Sequence, residues 1–357
     1  MNPQEQQLKY PLGDTLPGGG EAVDVADGVR WLRMPLPFAL DHVNLWLLRD
    51  RIDGRDGWTI VDCGIDRPEV RECWETVFAQ ALDGLPVLRV LVTHMHPDHV
   101  GLAHWLCERW GVPLWMTMTD YVLARLWCGT GKSGAAHDDA ASNEPSIRHF
   151  ARHGLVDPDI QAQMRVRRNY YGGMVPDVPA HFHRIMDGDT LTIGGREWQV
   201  FGGYGHAPEH ASFWCPSLGV LISGDMVLPR ISTNVSVFAQ EPEANPLTLY
   251  LASLKRLRPL PEDALVLPSH GKPFLGLQVR ITQQLDHHAD RLAEVLTACA
   301  RPQNAHDLLP VLFHRKLDTH QLSFAMGESI AHLHALYFEG TLTRHLGADG
   351  IYRFQRA

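Results

Sequence analysis

The chain has 357 residues, of which 45% are apolar, 20% charged and 8% aromatic, fractions that exclude a mostly disordered protein. Its 32 Lys plus Arg against 41 Asp plus Glu leave a formal charge of −9, so a bulk-basic nucleic-acid binder is not expected. One domain per roughly 100–200 residues predicts two domains. The beginning of the sequence, MNPQEQQLKYPLGDTLPGGG, has no apolar stretch of the secretory type. No apolar run approaches the roughly 18 residues of a membrane span. Six scattered cysteines without a C-x-x-C pair fit a reducing compartment, and a cytoplasmic protein without membrane contact is the expectation.

In chain order, residues 42–49 alternate as a strand, with Val43, Leu45 and Leu47 on one side. Residues 58–63 and 87–93 are short β-branched runs of the buried-strand kind. Between them Asp66 is positioned to cap a helix with Pro68 in its first turn, and Val70, Trp74, Val77 and Ala81 follow at helical spacing. A second helix is predicted over 100–110, stopped by Gly111. Residues 120–185 break the rhythm and read as an insertion. Within its polar tract, Gly131-Lys132-Ser133 resembles a phosphate loop only superficially, because Leu126 stands where the first glycine is required. A Gly-Gly hairpin is predicted over 190–201, and strands over 211–224 and 264–268. From 278 the pattern is helical, with a further helix over 319–338 and a terminal hairpin turning at Asp349-Gly350. That tail reads as a small winged-helix-like unit, giving a boundary at 280/281.

The chemistry concentrates in Thr93-His94-Met95-His96-Pro97-Asp98-His99, at the end of an apolar strand. Four potential metal ligands fall within six residues. Divalent ions such as zinc take imidazole nitrogen and carboxylate oxygen at about 2.0–2.2 Å, so a tight turn can deliver several donors to one small volume. Pro97 fixes its own φ and biases His96 towards an extended conformation, which stiffens the turn.

This H-x-H-x-D-H segment resembles the signature of the metallo-β-lactamase superfamily. The resemblance implies three later ligands, and candidates stand in the implied order: Gly205-His206, Gly224-Asp225 and His270-Gly271. Carried over residue by residue, one ion would take His94, His96 and His206, and a second Asp98, His99 and His270, with Asp225 bridging both. Asp62, in Val61-Asp62-Cys63-Gly64, matches an early strand-end aspartate of the family and would orient a ligand histidine. The implied fold is an α+β four-layer αββα sandwich spanning 1–280, with the helical insertion at about 120–185. The implied cofactor is a pair of divalent ions, zinc first and iron or manganese as alternatives. With a bridging hydroxide they would hydrolyse a small-molecule substrate, Asp98 serving as a catalytic residue.

His206-Ala207-Pro208-Glu209-His210 repeats the histidine spacing of glyoxalase II-type thioesterases, which makes His210 a catalytic or ligand-orienting candidate, although Ala207 and Glu209 depart from that pattern. The tail is similar to that of the beta-lactamase-like protein 2 group, some members of which cleave RNA. Residues 281–357 carry seven basic and eight acidic residues, and 319–338 contain Glu328 but no Lys or Arg. Nucleic acid is therefore not the expected partner; packing or homodimerisation is. The leading reading is a hydrolase of an ester, thioester or lactone, including coenzyme A or glutathione thioesters. Arg167 and Arg168 would hold an anionic tail, and Trp127, Tyr170, Tyr171 and Met174 an acyl group. A phosphodiester or phosphotriester hydrolase and an iron-dependent persulfide dioxygenase are the alternatives.

Overall fold

The structure is a computed structural model describing residues 4–129, 139–166, 171–314 and 316–357, without the side chains of 129, 139–142, 319 and 320. Among the described residues the first sheet has seven strands in spatial order: β1 (Val23–Ala26), β2 (Val29–Pro35), β3 (His42–Ile52), β4 (Arg55–Val61), β5 (Val87–Leu91), β6 (Leu114–Met116) and β7 (Phe182–Arg184). It is antiparallel up to β4 and parallel from β4 to β7. The second sheet runs, from its edge, β12 (Leu265–Pro268), β11 (Val220–Gly224), β10 (His210–Cys215), β9 (Arg196–Gly203) and β8 (Thr190–Ile193), with only β11 and β12 parallel.

Period-two alternation builds the layers. Trp31, Trp46, Leu48, Val61 and Leu91 of the first sheet meet Trp198, Val200, Phe213, Ile222 and Leu267 of the second in one buried cluster between the sheets. The alternate residues Leu32, Leu45, Leu47, Ile60 and Val90 face outward against α1 (Pro68–Gln80) and α3 (Ala103–Trp110), through Val70, Trp74, Val77 and Leu106. A short α2 (Pro97–Val100) precedes α3. On the far side, Trp214, Leu221 and Val266 pack under α7 (Pro246–Leu257), α8 (Leu277–Ala298) and α10 (Thr319–Phe338). The result is the helix–sheet–sheet–helix sandwich expected from the resemblance. A buried ion pair ties the sheets together: Arg89 of β5 donates to Asp50 of β3 at 2.7 Å, while the Gly194 amide of the β8–β9 turn reaches Asp50 at 2.9 Å.

Two local expectations are corrected. Asp66 does not cap α1; Arg67 holds the N-cap position without a side-chain bond, and the Asp66 carboxylate instead pairs with Arg71 at 2.7 Å. The fork gives the carboxylate two charge-assisted bonds to Arg71 where a cap would give one. The single helix over 100–110 is broken at Leu102, whose amide turns to the Gly64 carbonyl at 3.0 Å, next to a Gly101 packed on the Gly64 backbone. A Cβ added to Gly101 would lie 2.6 Å from the Gly64 oxygen, so no other residue brings the chain this close.

The insertion supplies α4 (Met118–Gly129), α5 (Asp139–Arg152) and α6 (Pro158–Val166). Gly131-Lys132-Ser133 lies outside the described residues. After α8, the short α9 (Leu309–Leu312) leads into α10, which opens on a capping box between Asp318 and Gln321. The strands β13 (Leu342–Leu346) and β14 (Tyr352–Arg356) form the terminal hairpin. Helix α8 runs through residue 280, and Ile330, Leu333, Leu342 and Phe354 share one core with Tyr250 and Leu254. Among the described residues no helix is long and apolar enough to cross a membrane.

Candidate metal centre

Strands β4, β5, β9, β11 and β12 all end at one edge of the sandwich, so the loops that follow them converge. Beyond β5 comes Thr93-His94, beyond β9 His206, beyond β11 Asp225 and beyond β12 His270. Two of the turns demand glycine. Gly205 has φ +100° and Gly224 φ +55°, and a Cβ on either would sit 2.2 Å from Pro246 O or His210 Nε2 respectively.

Seven side chains from four loops meet there. His94, His96, His206 and Asp225 form one group of donors and Asp98, His99 and His270 another, each set lying within 4.8 Å of one another. His94 Nε2 stands 2.9 Å from His96 Nδ1 and 3.2 Å from His206 Nε2, which in turn is 3.3 Å from Asp225 Oδ2. On the other side, Asp225 Oδ1 is 3.4 Å from His270 Nε2 and 3.7 Å from His99 Nε2. Asp98 Oδ2 closes that set, 3.4 Å from His270 and 3.5 Å from His99. Each Asp225 oxygen therefore faces a different set of donors.

Three features fit this arrangement to metal ions. Ligands at about 2.0–2.1 Å from a tetrahedral ion stand about 3.3–3.4 Å apart, close to these separations. The buried His99 Nε2 and Asp225 Oδ1 have no hydrogen-bond partner among the described residues, a costly state unless a cation satisfies them. Three of the remaining ring nitrogens are also accounted for. His206 Nδ1 donates to Asn234 O at 2.7 Å, His270 Nδ1 to His42 O at 2.8 Å and His99 Nδ1 to Asp62 Oδ2 at 2.8 Å. With the proton held on Nδ1, each Nε2 presents its lone pair to the cluster.

Asp62 serves two histidines. Besides His99 it accepts the Thr93 hydroxyl at 2.9 Å, and the same hydroxyl oxygen lies 3.0 Å from His94 Nδ1. Its backbone occupies the left-handed region at φ +64°, an uncommon state for a non-glycine residue that aspartate adopts more readily than most. His210 is fully buried behind the cluster, and its Nε2 accepts the Asp225 amide at 3.1 Å. The cluster opens to solvent along His96, Pro97 and Asp98.

The electrostatics leave His94 and His96 neutral and ready to bind, while the carboxylates around His99 favour its cationic form. Burial holds the His94 imidazole well below its usual range and His96 down to about 3, so both are neutral at physiological pH. Burial pushes the Asp98 carboxyl up, but the His99 and His270 imidazoles outweigh it and hold the group at about 2. For His99, burial is outweighed by the Asp98, Asp62 and Asp225 carboxylates, which raise it.

Two supporting residues carry no sequence signal, and Tyr171, an acyl-group candidate from the sequence, joins them. Asp120, at the start of α4, accepts the Met95 amide at 2.8 Å and the Glu209 amide at 2.7 Å, joining two ligand loops, and burial raises its carboxyl to about 7. Asn44 of β3 donates to Pro268 O and Gly271 O, both at 2.8 Å, and so fixes the His270 turn. Tyr171 donates to Met95 O at 2.6 Å. Tyr171 and Met174 are both buried, whereas Trp127 stands edge-on to Tyr171 at 5.3 Å and reaches the exposed Phe238 at 6.2 Å. Arg167, Arg168 and Tyr170 lie outside the described residues.

Comparison with known proteins agrees with this picture. The family described as "Metallo-beta-lactamase superfamily" matches residues 39–270, and "Metallo-beta-lactamase-like, C-terminal domain" matches 292–357. A crystal structure of a beta-lactamase domain protein from Burkholderia ambifaria is 55% identical, with a TM-score of 0.92 and all of both chains covered. A metallo-beta-lactamase family protein from Thermus thermophilus is 30% identical, with a TM-score of 0.73 over 94% of this chain and all of that one. The "Probable metallo-hydrolase YqjP" of Bacillus subtilis is 24% identical over 90% of this chain and 96% of its own length. A hydroxyacylglutathione hydrolase of Chromohalobacter salexigens is 24% identical over 72% of each chain. The chain belongs to the metallo-beta-lactamase superfamily and is a metallo-hydrolase.

Proposed function

We propose that this protein is a metal-dependent hydrolase of an ester, thioester or lactone, with residues placed to hold two ions. The observation that carries the reading is Asp225, whose two oxygens address two separate donor sets. His94, His96, His206 and Asp225 would hold one ion, and Asp98, His99, His270 and Asp225 the other. Zinc suits this imidazole and carboxylate set. When bound, such a pair supplies a nucleophilic oxygen at neutral pH and polarises a carbonyl.

The chain's own side chains do the rest. Asp98 lies on the solvent-facing rim and stays ionised at neutral pH, which makes it a poor base but a strong acceptor that orients the attacking water. His210 holds the Asp225 amide and so acts as a positioning residue. Trp127, edge-on to both Tyr171 and Phe238, would offer an aromatic surface to an apolar acyl group. A thioester is supported by the relative named hydroxyacylglutathione hydrolase. We assign the tail a packing role, because it shares the core of the second sheet's helices.

The test is metal content measured beside turnover on acyl thioesters, lactones and aryl esters. Two ions per chain with turnover abolished by Asp225→Ala is the expected result. No turnover on any of the three classes by the metal-loaded protein would overturn the substrate assignment.

A further inference from the structure

The segment after Asp225, residues 226–237, has no helix or strand of its own, yet it supplies the Asn234 carbonyl that takes the His206 Nδ1 proton. Its conformation is held from the last part of the chain. Tyr250 of α7 donates to Met226 O at 3.1 Å. Arg280 of α8 is buried and directs its guanidinium at Leu228 O and Ile231 O, at 2.5 and 2.8 Å. Helix α10 comes closest of all. Its Gly327 carbonyl accepts the Val237 amide at 3.2 Å, and a Cβ on Gly327 would lie 2.7 Å from the Ser236 side chain.

The next residue, Glu328, is the only acid in α10. Its Oε2 accepts the Asn234 side-chain amide at 3.3 Å, while Asn234 Oδ1 accepts the Ser236 hydroxyl at 2.8 Å. Burial pushes the Glu328 carboxyl up to about 7. The side chain is half-buried, and the one carboxylate of an otherwise uncharged helix is turned to the Asn234 amide.

We propose that Glu328 is a positioning residue for His206, fixing through Asn234 the carbonyl that holds the imidazole proton and hence the direction of Nε2. The C-terminal helix is then part of the scaffold of the metal centre. The inference rests on the reading of His206 as a metal ligand. Groups orienting a ligand histidine typically contribute ten- to a hundredfold in metal affinity, and Glu328 acts one bond further out.

The experiment follows release of zinc from the full-length, zinc-loaded protein to a coloured chelator, with thermal melts of every variant. Glu328→Ala and Asn234→Ala should each speed loss of one of the two ions about tenfold. The double variant should be no faster than either single one, since both break the same link. Glu328→Gln still offers an oxygen to the Asn234 amide and should stay within about twofold of the parent. Should Glu328→Ala fail to fold, Asn234→Ala reads the same bond from the other side. Release rates equal to the parent's would overturn the proposal, as would additive effects with both ions lost together and a lowered melting temperature. Failure of the parent protein to hold zinc would instead overturn the metal assignment beneath it.

Discussion

Asp62 Oδ2 accepts the Nδ1 proton of His99 at 2.8 Å, and it does so from a backbone in the left-handed region. Through the Thr93 hydroxyl the same carboxylate reaches His94. One residue thus orients a donor in each of the two sets. Asp62→Asn tolerates the backbone conformation but places an amide against the His99 N–H. The expected outcome is a fall in kcat of about ten- to a hundredfold with weaker metal retention and an unchanged far-UV circular dichroism spectrum. Equal activity and metal content in the two proteins would contradict the assigned role.

The Asp50–Arg89 pair is a matter of stability, away from the chemistry. Both side chains are buried, and Asp50 also accepts the Thr59 hydroxyl at 2.6 Å. Asp50→Ala leaves a buried guanidinium without its partner and should cost about 3–5 kcal/mol in urea unfolding. Metal content at low temperature should be unaffected.

Acid should weaken the helical layer through His288 and His332. His332 Nδ1 donates to Glu328 O, so its Nε2 is the acceptor for His288 Nδ1 at 3.3 Å. Burial lowers His288 to about 3 and His332 to about 4. The unfolded chain takes up these protons at its ordinary imidazole pKa, whereas the folded one does not. Stability is therefore fully present above about pH 6.5 and is lost as pH falls from there towards the folded values. Each group contributes a slope of about 1.4 kcal/mol per pH unit in that window. His288→Leu should flatten the decline by about that amount; an unchanged slope in urea titrations between those limits would show that the pair is not the cause.

The clustered histidines and aspartates were legible in the sequence because residues of this chemistry fall into recognisable patterns. Four of them share one turn, and the other three sit beside glycines that the turn geometry requires. The residues that aim them were not, apart from Asp62. Asp120, Asn44 and Asn234 are lone polar residues whose partners come from distant loops, so neither spacing nor composition marks them. Glu209, which departs from the thioesterase pattern, accepts the Thr119 amide at 3.2 Å. The alternation of β3 and the Gly194-Gly195 hairpin followed local rules. The break after α2 and the loss of the Asp66 cap followed tertiary contacts, with the Gly64 backbone and Arg71, that no local window contains.

Anomalous diffraction from crystals of the zinc-loaded protein tests the central claim most directly. Two peaks are expected, one on either side of Asp225, each about 2.0–2.2 Å from its carboxylate and from the imidazoles of one donor set. A single peak confined to one set, or zinc bound away from Asp225, would contradict it.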